Sequence, residues 1–276
     1  MREGLPMRLL RAATVLFVVL WSGAPVALMV LSSFKPTTEI FAYPPALIFA
    51  PTLEHYRTLF EKWPDFLGTL FNSAAVAILS TLVTVAASVL AGYVYSRYRG
   101  TAIGASALFM VAIRLLPPIV IILPLFPATS LLQLNDTWAI LVMLYATFFV
   151  SIGSMILKAY IDGIPTELDD AARIDGAGEM QTLLRIIVPL AAPGMVAAAV
   201  FVFVYAWNEY LFAFVFTTTD AKTAPIVISE MMGSLTGVDW GALFAAATVQ
   251  LVPVTLFVIA LQRFLVAGLT AGSVKG

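Results

Sequence analysis

Two ionisable side chains stand inside apolar stretches of this sequence, where charge is expensive. Arg114 lies about 13 residues into a run that begins near residue 102, close to the bilayer centre if that run is a helix rising 1.5 Å per residue. Glu209 follows Trp207 and Asn208 in a second run. A charge at mid-bilayer costs about 2.5–3.5 kcal/mol on insertion scales. Two interpretations stay open for both residues: they line a polar pathway, or they satisfy backbone groups or each other at a subunit contact.

The candidate pathway residues combine charge, amide and aromatic groups with a broken helix. Proline removes a backbone donor, so the hydrogen-bond ladder of the run that carries Arg114 is predicted to be broken at Pro117, Pro118, Pro124 and Pro127. Such breaks at membrane depth are tolerated where the chain lines a cavity or is buried in protein. The predicted set is Arg114, Pro117, Tyr205, Trp207, Asn208 and Glu209.

Other kinds of site are missing from the sequence. There is no Gly-rich loop ending in Gly-Lys-Ser or Gly-Lys-Thr, so the chain has no P-loop for nucleotide phosphates. The single histidine, His55, is predicted to be a solvated residue of an outer loop. The absence of cysteine excludes disulfides and thiolate metal sites, and no basic patch indicates a nucleic-acid partner. We therefore expect no metal, no cofactor bound by this chain and no catalysis by this chain alone.

Composition and hydropathy predict an all-α membrane protein. The chain is 61% hydrophobic and 11% charged, against about 25% charged residues in soluble domains. A transmembrane helix needs roughly 20 apolar residues. Six stretches qualify: 12–34, 69–96, 102–127, 137–157, 193–216 and 240–262. Four glycines are predicted to be points of close helix packing: Gly92, Gly104, Gly153 and Gly194.

Basic residues in the short loops predict the orientation. Placing the N-terminus in the cytoplasm puts ten basic residues inside and four outside, with Arg114 in the membrane, which accounts for all 15. Both termini and the segment 165–189 then lie in the cytoplasm. The proline-rich loop from Lys35 to about Gly68 lies outside, where we expect extended and turn structure.

The segment 165–189 is the longest polar interruption of the chain. Three carboxylates begin it, where the positive end of a helix dipole favours negative charge. Gly176 and Gly178 then supply a break, and an apolar ridge follows before Pro189. The pattern predicts two short helices that meet at a hinge.

This segment resembles the cytoplasmic coupling motif of binding-protein-dependent ABC importer permeases. That motif reads Glu-Ala-Ala, then Gly four residues on, then Pro near the end. Asp170-Ala171-Ala172, Gly176 and Pro189 stand at those positions, with Asp170 shorter than the family's Glu but equal in charge. The predicted ATPase-coupling residues are Glu167, Asp170, Ala171, Ala172, Asp175, Gly176 and Pro189.

The outer loop and the C-terminus resemble the carbohydrate branch of that family, of the maltose-permease type. The loop contains Phe34-Lys35-Pro36 and the run 52–56, and the tail reads Gly-Leu-Thr-Ala-Gly-Ser-Val-Lys-Gly. The resemblance implies a tail that contacts the ATPase pair through Leu269, Lys275 and Gly276, whereas a frayed terminus is the alternative. It also implies a sugar substrate. Aromatic rings that stack on a sugar ring and amides that bond its hydroxyl groups would suit the walls of such a pathway.

The resemblance further implies the fold of the chain and the other subunits of a transport complex. We expect a type I ABC importer fold with an N-terminal helix and outer loop (1–68), a transmembrane core (69–264) and a cytoplasmic tail (265–276). The partners implied are a second permease subunit in a heterodimer, two ATPase subunits that bind ATP and Mg, an extracytoplasmic solute-binding protein and the bilayer of a bacterial inner membrane. The alternative is an ion- or proton-coupled carrier that uses Arg114 and Glu209. Such carriers often contain internal repeats, and residues 1–138 and 139–276 show none.

Overall fold

The computed structural model describes residues 5–46, 48–233 and 237–271, with the side chains of residue 5 and of residues 263–271 left out of the description. All regular structure within these ranges is helical. The longer helices are α1 (Leu5–Ser32), α2 (Glu54–Lys62), α3 (Phe66–Arg97), α4 (Thr101–Ala112), α5 (Pro118–Leu131), α6 (Trp138–Ile161), α7 (Glu167–Ile174), α8 (Glu179–Leu190), α9 (Ala192–Trp207), α10 (Leu211–Phe216), α11 (Ala224–Met232) and α12 (Trp240–Ala271).

The described helices confirm the all-α membrane class. Four of them are long and apolar enough to cross a bilayer without interruption: Pro6–Ser32, Phe66–Arg97, Trp138–Ile161 and Trp240–Gln262. Two further candidates are bent pairs. α4 and the 3-10 turn Ile113–Leu115 meet α5 at 94°, and α8 meets α9 at 76°. Counting each bent pair as one span, the described residues contain up to six candidate spans, the number predicted. In the second pair only α9 overlaps the predicted span 193–216, because α8 belongs to the polar segment.

The third predicted span is broken where the prolines begin. Leu116 and Pro117 are extended, with ψ of 131° at both, and α5 starts at Pro118. Pro117 cannot donate a backbone hydrogen bond and disfavours helix at the residue before it. Pro124 and Pro127, by contrast, lie inside α5. The helix is therefore interrupted at Pro117 and Pro118, whereas α5 continues through Pro124 and Pro127, each of which only removes one backbone donor.

The chain divides into two compact units, of which the first comprises residues 1–66 and 228–252. The loop predicted to be extended contains a nine-residue helix, α2. That helix buries His55, which is 3% exposed and whose Nε2 lies 2.7 Å from the carbonyl of Lys35. A Cβ on Gly241 would overlap the same imidazole. The prediction of a solvated histidine is wrong, because the ring occupies the space that Gly241 leaves.

The second unit comprises residues 67–227 and 253–276. Its core is an apolar cluster shared by α3, α5, α6, α9 and α10. The largest fully buried members include Tyr145 of α6, Trp207 of α9 and Phe216 of α10. A separate cluster joins Val89 and Leu157 to the α8 residues Leu183 and Ile187. α3 and α6 therefore contribute to both clusters and form the framework of this unit.

Glycine packing follows the prediction at three of the four positions. A Cβ on Gly92 would lie 3.0 Å from the Leu157 side chain, one on Gly153 would overlap Ser88, and one on Gly194 would overlap the Tyr160 ring. Gly104 has no heavy atom within 4 Å of that point, so it is not a packing point within this chain. Because a glycine has no side chain, the backbone of α6 can approach those of α3 and α9 closely at these three positions.

Candidate functional site

The polar segment forms two helices joined at Gly176, as predicted. α7 begins with Glu167, Asp169 and Asp170 in its first turn. Gly176 adopts a φ of +80°, a left-handed conformation that glycine tolerates without strain. Gly178 has a φ of −75° and precedes α8, so it ends the turn without a special backbone geometry. The hinge therefore depends on Gly176.

α8 does not stop at Pro189, as the sequence suggests, but one residue later. Residues Leu183–Ile187 form a π-helical turn, and Val188–Leu190 follow as the last α-helical turn. A π-turn moves the hydrogen bonds by one residue, and such turns often mark functional sites. Pro189 lies within this last turn, one residue before the end of α8.

A buried ion pair holds α7 against the end of α3. Nε of Arg97 lies 3.0 Å from Oδ2 of Asp169, and the two side chains are 8% and 6% exposed. The hydroxyl of Tyr93 donates to Oδ1 of Asp169 at 3.0 Å. The remaining guanidinium nitrogens of Arg97 donate to the carbonyls of Ile161 and Ile164. This group of contacts, the Arg97–Asp169 pair, fixes α7 to both α3 and the end of α6.

A second, more exposed set of bonds joins α7 to the start of α8. Glu179 accepts from the hydroxyl of Tyr98 at 2.6 Å and from Nη2 of Arg173 at 2.9 Å. Arg173 also lies 3.5 Å from Asp170. Such exposed pairs contribute little to stability. The Arg173 bond bridges α7 and α8 across the Gly176 turn, and the Tyr98 bond links α8 to the residue that follows α3.

The opposite face of the segment is exposed and partly apolar. Ile174 is 87% exposed, and Met180 and Leu184 are also exposed. The predicted coupling residues Glu167, Asp170, Ala171, Asp175, Gly176 and Pro189 are exposed as well, whereas Ala172 is buried. Exposed apolar side chains on a polar segment mark an interaction surface. We call this surface the docking face.

The break in the third span presents Arg114 to a cavity of about 380 Å³ within the second unit. Its guanidinium lies 5.0 Å from the ring centroid of Phe148, and Nη1 donates to Oγ of Ser151 at 3.2 Å. Other lining residues are mainly aliphatic. A cation over an aromatic face is stabilised without full hydration. The position suits a pathway wall, and whether Arg114 touches a substrate stays a prediction.

The fifth predicted span is interrupted at the Trp-Asn-Glu run. α9 ends at Trp207 and α10 begins at Leu211. Oε1 of Glu209 accepts from the N–H of Phe212 and Oε2 from that of Ala213. The carboxylate thus caps α10 and satisfies backbone groups, as one of the two interpretations left open for Glu209 requires.

The aromatic residues predicted beside Glu209 divide between the core and the surface. Trp207 is 1% exposed and stacks on Phe203, so its indole is not available to a ligand in this conformation. Tyr205 is half exposed and lies 5.9 Å from the Phe149 ring. Asn208 is exposed and donates to the carbonyl of Val204. In this conformation the Trp207 indole packs into its own chain, and a pathway role for it stays a prediction.

Glu209→Gln is expected to lower the thermal stability of the purified complex. A glutamine has one acceptor oxygen, so one of the two backbone N–H groups loses its partner, at a cost of about 1.5–3 kcal/mol for a charge-assisted bond. Asn208→Ala, which removes a neutral bond from an exposed residue, should shift the melting temperature less. An unchanged melting temperature with an altered half-saturation for uptake would instead assign Glu209 to the pathway.

The predicted tail contact is only partly within the described residues. Leu269 belongs to α12, which continues to Ala271, beyond the end predicted for the last span. Lys275 and Gly276 lie outside the described residues. The role of the tail stays a prediction.

Sequence reasoning missed Arg97, Tyr93 and the role of Asp169. The sequence does contain a signal for Asp169. Adjacent residues of a helix point about 100° apart, so Asp169 and Asp170 cannot share one face of α7. Asp169 lies three residues before the small residue Ala172, on the face that the structure buries. The partner Arg97 could not have been found in this way, because the pairing spans 72 residues.

Comparison with known proteins now decides the family. Residues 84–271 match the family described as "Binding-protein-dependent transport system inner membrane component". The chain belongs to this family of importer permeases. It is a multi-pass membrane subunit of an ABC importer and works as a transport component, not as an enzyme. This family assignment takes the place of the alternative function, an ion- or proton-coupled carrier.

Three relatives match this permease along nearly its whole length. It is 34% identical to the trehalose/maltose transport system permease protein MalG of Thermococcus litoralis, over 100% of both chains. It is 36% identical to the trehalose permease protein SugB of Mycobacterium tuberculosis, over 94% of both chains. It is 33% identical to the sulfoquinovosyl glycerol permease protein SmoH of Agrobacterium fabrum, over 99% of this chain and 95% of that one.

A solved structure shows the same fold. A chain of the bacterial ABC transporter involved in the import of the acidic polysaccharide alginate superimposes with a TM-score of 0.73, over 95% of this permease and 98% of that chain, at 16% identity. The permease therefore has the type I ABC importer fold that the sequence predicts.

Proposed function

We propose that this permease forms half of a translocation pathway for a sugar or sugar derivative delivered by a solute-binding protein. The observation that carries the proposal is the end-to-end similarity to permeases named for trehalose, trehalose/maltose and sulfoquinovosyl glycerol. Arg114 in its cavity and the exposed Asn208 supply polar groups of the kind that bond hydroxyl groups, although most of the cavity lining is apolar.

The permease works within a larger complex of the kind its resemblance implies. We assign it a second permease subunit as heterodimer partner, two ATPase subunits and an extracytoplasmic binding protein. The docking face supports an ATPase contact, and α1, whose apolar window has none of its residues buried in this chain, offers surface to lipid or to another subunit. A structural neighbour is a bacterial alginate ABC transporter in complex with a periplasmic protein, which supports the binding protein. ATP and Mg belong to the ATPase subunits.

The orientation follows from charge. Ten basic residues against four favour both termini and the segment 165–190 on the cytoplasmic side of the bacterial inner membrane. That side is where an ATPase finds its nucleotide. ATP-driven closure of the ATPase pair would move the docking face and turn the permease from inward- to outward-facing as a rigid-body switch.

Binding and uptake measurements test the substrate class. We expect the binding protein encoded with this permease to select one or a few sugars from a panel that also contains amino acids, peptides and inorganic anions. The selected sugar should enter proteoliposomes that contain the whole complex only when ATP is enclosed with the ATPase. Selection of an amino acid or a peptide would contradict the carbohydrate proposal and leave the family assignment intact.

A further inference from the structure

The guanidinium of Arg97 connects three helices, α3, α6 and α7, where the segment 165–190 begins. Arg97 is the last residue of α3, and its Nε bonds Asp169 of α7 at 3.0 Å. Its Nη1 donates to the carbonyl of Ile161, the last residue of α6, at 3.3 Å, and its Nη2 donates to that of Ile164 at 3.0 Å. The fork of the guanidinium fixes the directions of these bonds, so α3, α6 and α7 are held in one geometry.

The second helix of the segment, α8, is attached by the exposed Tyr98–Glu179 bond at its start and by apolar packing along its length. Leu183 and Ile187 of α8 pack into an apolar cluster with Val89 and Leu157. Apolar burial is non-directional and roughly proportional to area, so packed helices can slide while they remain in contact. The Arg97–Asp169 pair has no such freedom, because a displaced buried charge loses its partner. The Arg97–Asp169 pair is therefore the buried directional contact between the segment and the long helices.

We propose that the Arg97–Asp169 pair is a mechanical joint that passes movement of α7 to α3 and α6 as one rigid body. The two residues are positioning residues: they touch neither nucleotide nor substrate and act through the helices that they join. Tyr93 completes the joint by donating to the second oxygen of Asp169. The inference rests on the proposed function, since it assumes that an ATPase moves the docking face.

The same two long helices hold a loop at their other ends. Asn72, near the start of α3, donates to the carbonyls of Asp220 and Lys222 at 2.9 Å each. Asp136, just before α6, accepts from the backbone N–H groups of residues 218–221. α3 has 32 residues and spans about 48 Å at 1.5 Å per residue. A probe on the exposed Thr219 therefore reports the far end of the joined body.

Spin labels at the two ends test the joint without a substrate. The chain has no cysteine, so Thr166→Cys at the start of α7 and Thr219→Cys provide one pair of labels. The distance between them is measured by pulsed electron paramagnetic resonance in the purified importer, nucleotide-free and trapped with Mg-ATP and vanadate. If the joint is rigid, the mean distance should differ by less than about 2 Å between the states, the scale of small helix shifts.

Weakening the joint should release the segment. With Asp169→Asn, the distance distribution is expected to widen and its mean to differ between the two states by more than about 2 Å. Tyr93→Phe removes the hydroxyl that lies 3.0 Å from Oδ1 of Asp169 and 3.3 Å from Oε2 of Glu179. It serves if Asp169→Asn does not assemble, and it should give the same change to a smaller extent. The matched control is Asp162→Asn, which removes a more exposed pair with Lys158 at the end of α6 and should resemble the wild type.

The outcomes distinguish a failure of the proposed joint from a failure of the proposed function. Failure of any ATPase subunit to copurify would contradict the proposed function. An intact complex whose wild-type distance already changes by more than about 2 Å would overturn the joint and leave the function standing. A distance in both Asp169→Asn and Tyr93→Phe as narrow and constant as in the wild type would also overturn it.

Discussion

Replacing Gly176 by valine is expected to abolish transport while the permease remains at normal abundance in the membrane. Gly176 has a φ of +80°, and a left-handed conformation costs other residues roughly 1–2 kcal/mol, with β-branched side chains the worst suited. The turn must then change, and the docking face splits at the point where α7 meets α8. The spans are untouched, so uptake should be lost without loss of protein.

Two controls separate backbone strain from added bulk. Gly176→Asn adds a side chain of similar size that tolerates the left-handed region, so it should keep much of the transport. Gly178→Ser adds a side chain two residues away, where φ is −75°. No atom of the described residues lies within 4 Å of the added Cβ, and serine is a favoured residue immediately before a helix. It should be close to wild type. Wild-type uptake by Gly176→Val would remove the turn from the coupling mechanism.

Replacing Arg97 by methionine is expected to cause the largest loss of stability. The change strands the Asp169 carboxylate in a buried site, and breaking a buried pair in this way costs about 3–5 kcal/mol. The carbonyls of Ile161 and Ile164 lose their donors as well. Thermal unfolding of the purified complex should show a clear fall in melting temperature, and uptake should fall with it.

A double variant separates stability from coupling. Arg97→Met with Asp169→Leu removes both charges, and apolar replacement of a whole buried pair is often tolerated. Its melting temperature should recover most of the loss, whereas uptake should not recover, because the directional link is gone. Arg173→Met, which breaks exposed pairs on the same segment, should change the melting temperature little. Equal melting temperatures for Arg97→Met and wild type would contradict the buried pair.

Hydropathy and local pattern were sufficient to predict the all-α class and the two-helix segment. Apolar stretches of bilayer length report burial in lipid directly, and the positive φ of Gly176 follows from a glycine between two helical patterns. The bend before Pro118 was also foreseeable, because proline acts through its own backbone. These features depend on neighbours in sequence, which a single chain displays.

The features that were missed depend on residues far apart in sequence. His55 was taken for a solvated residue because nothing local shows that Gly241 leaves room for its ring. Trp207 resembles a ligand-stacking residue until its packing on Phe203 is known. Gly104 has the same local signature as Gly153, but among the described residues no atom lies within 4 Å of the point where its Cβ would be. Long-range pairing decides each case, and periodicity carries no information about it.

A photo-crosslinking amino acid placed at Ile174 tests most directly the claim that the segment 165–190 couples this permease to an ATPase. The Ile174 side chain is 87% exposed at the end of α7, beside the Gly176 turn. Irradiation of the assembled importer in membranes should give an adduct with the ATPase subunit, and the same probe at Thr219 should give none. An ATPase adduct from Thr219, or none from Ile174 in a complex that still contains the ATPase, would contradict the account.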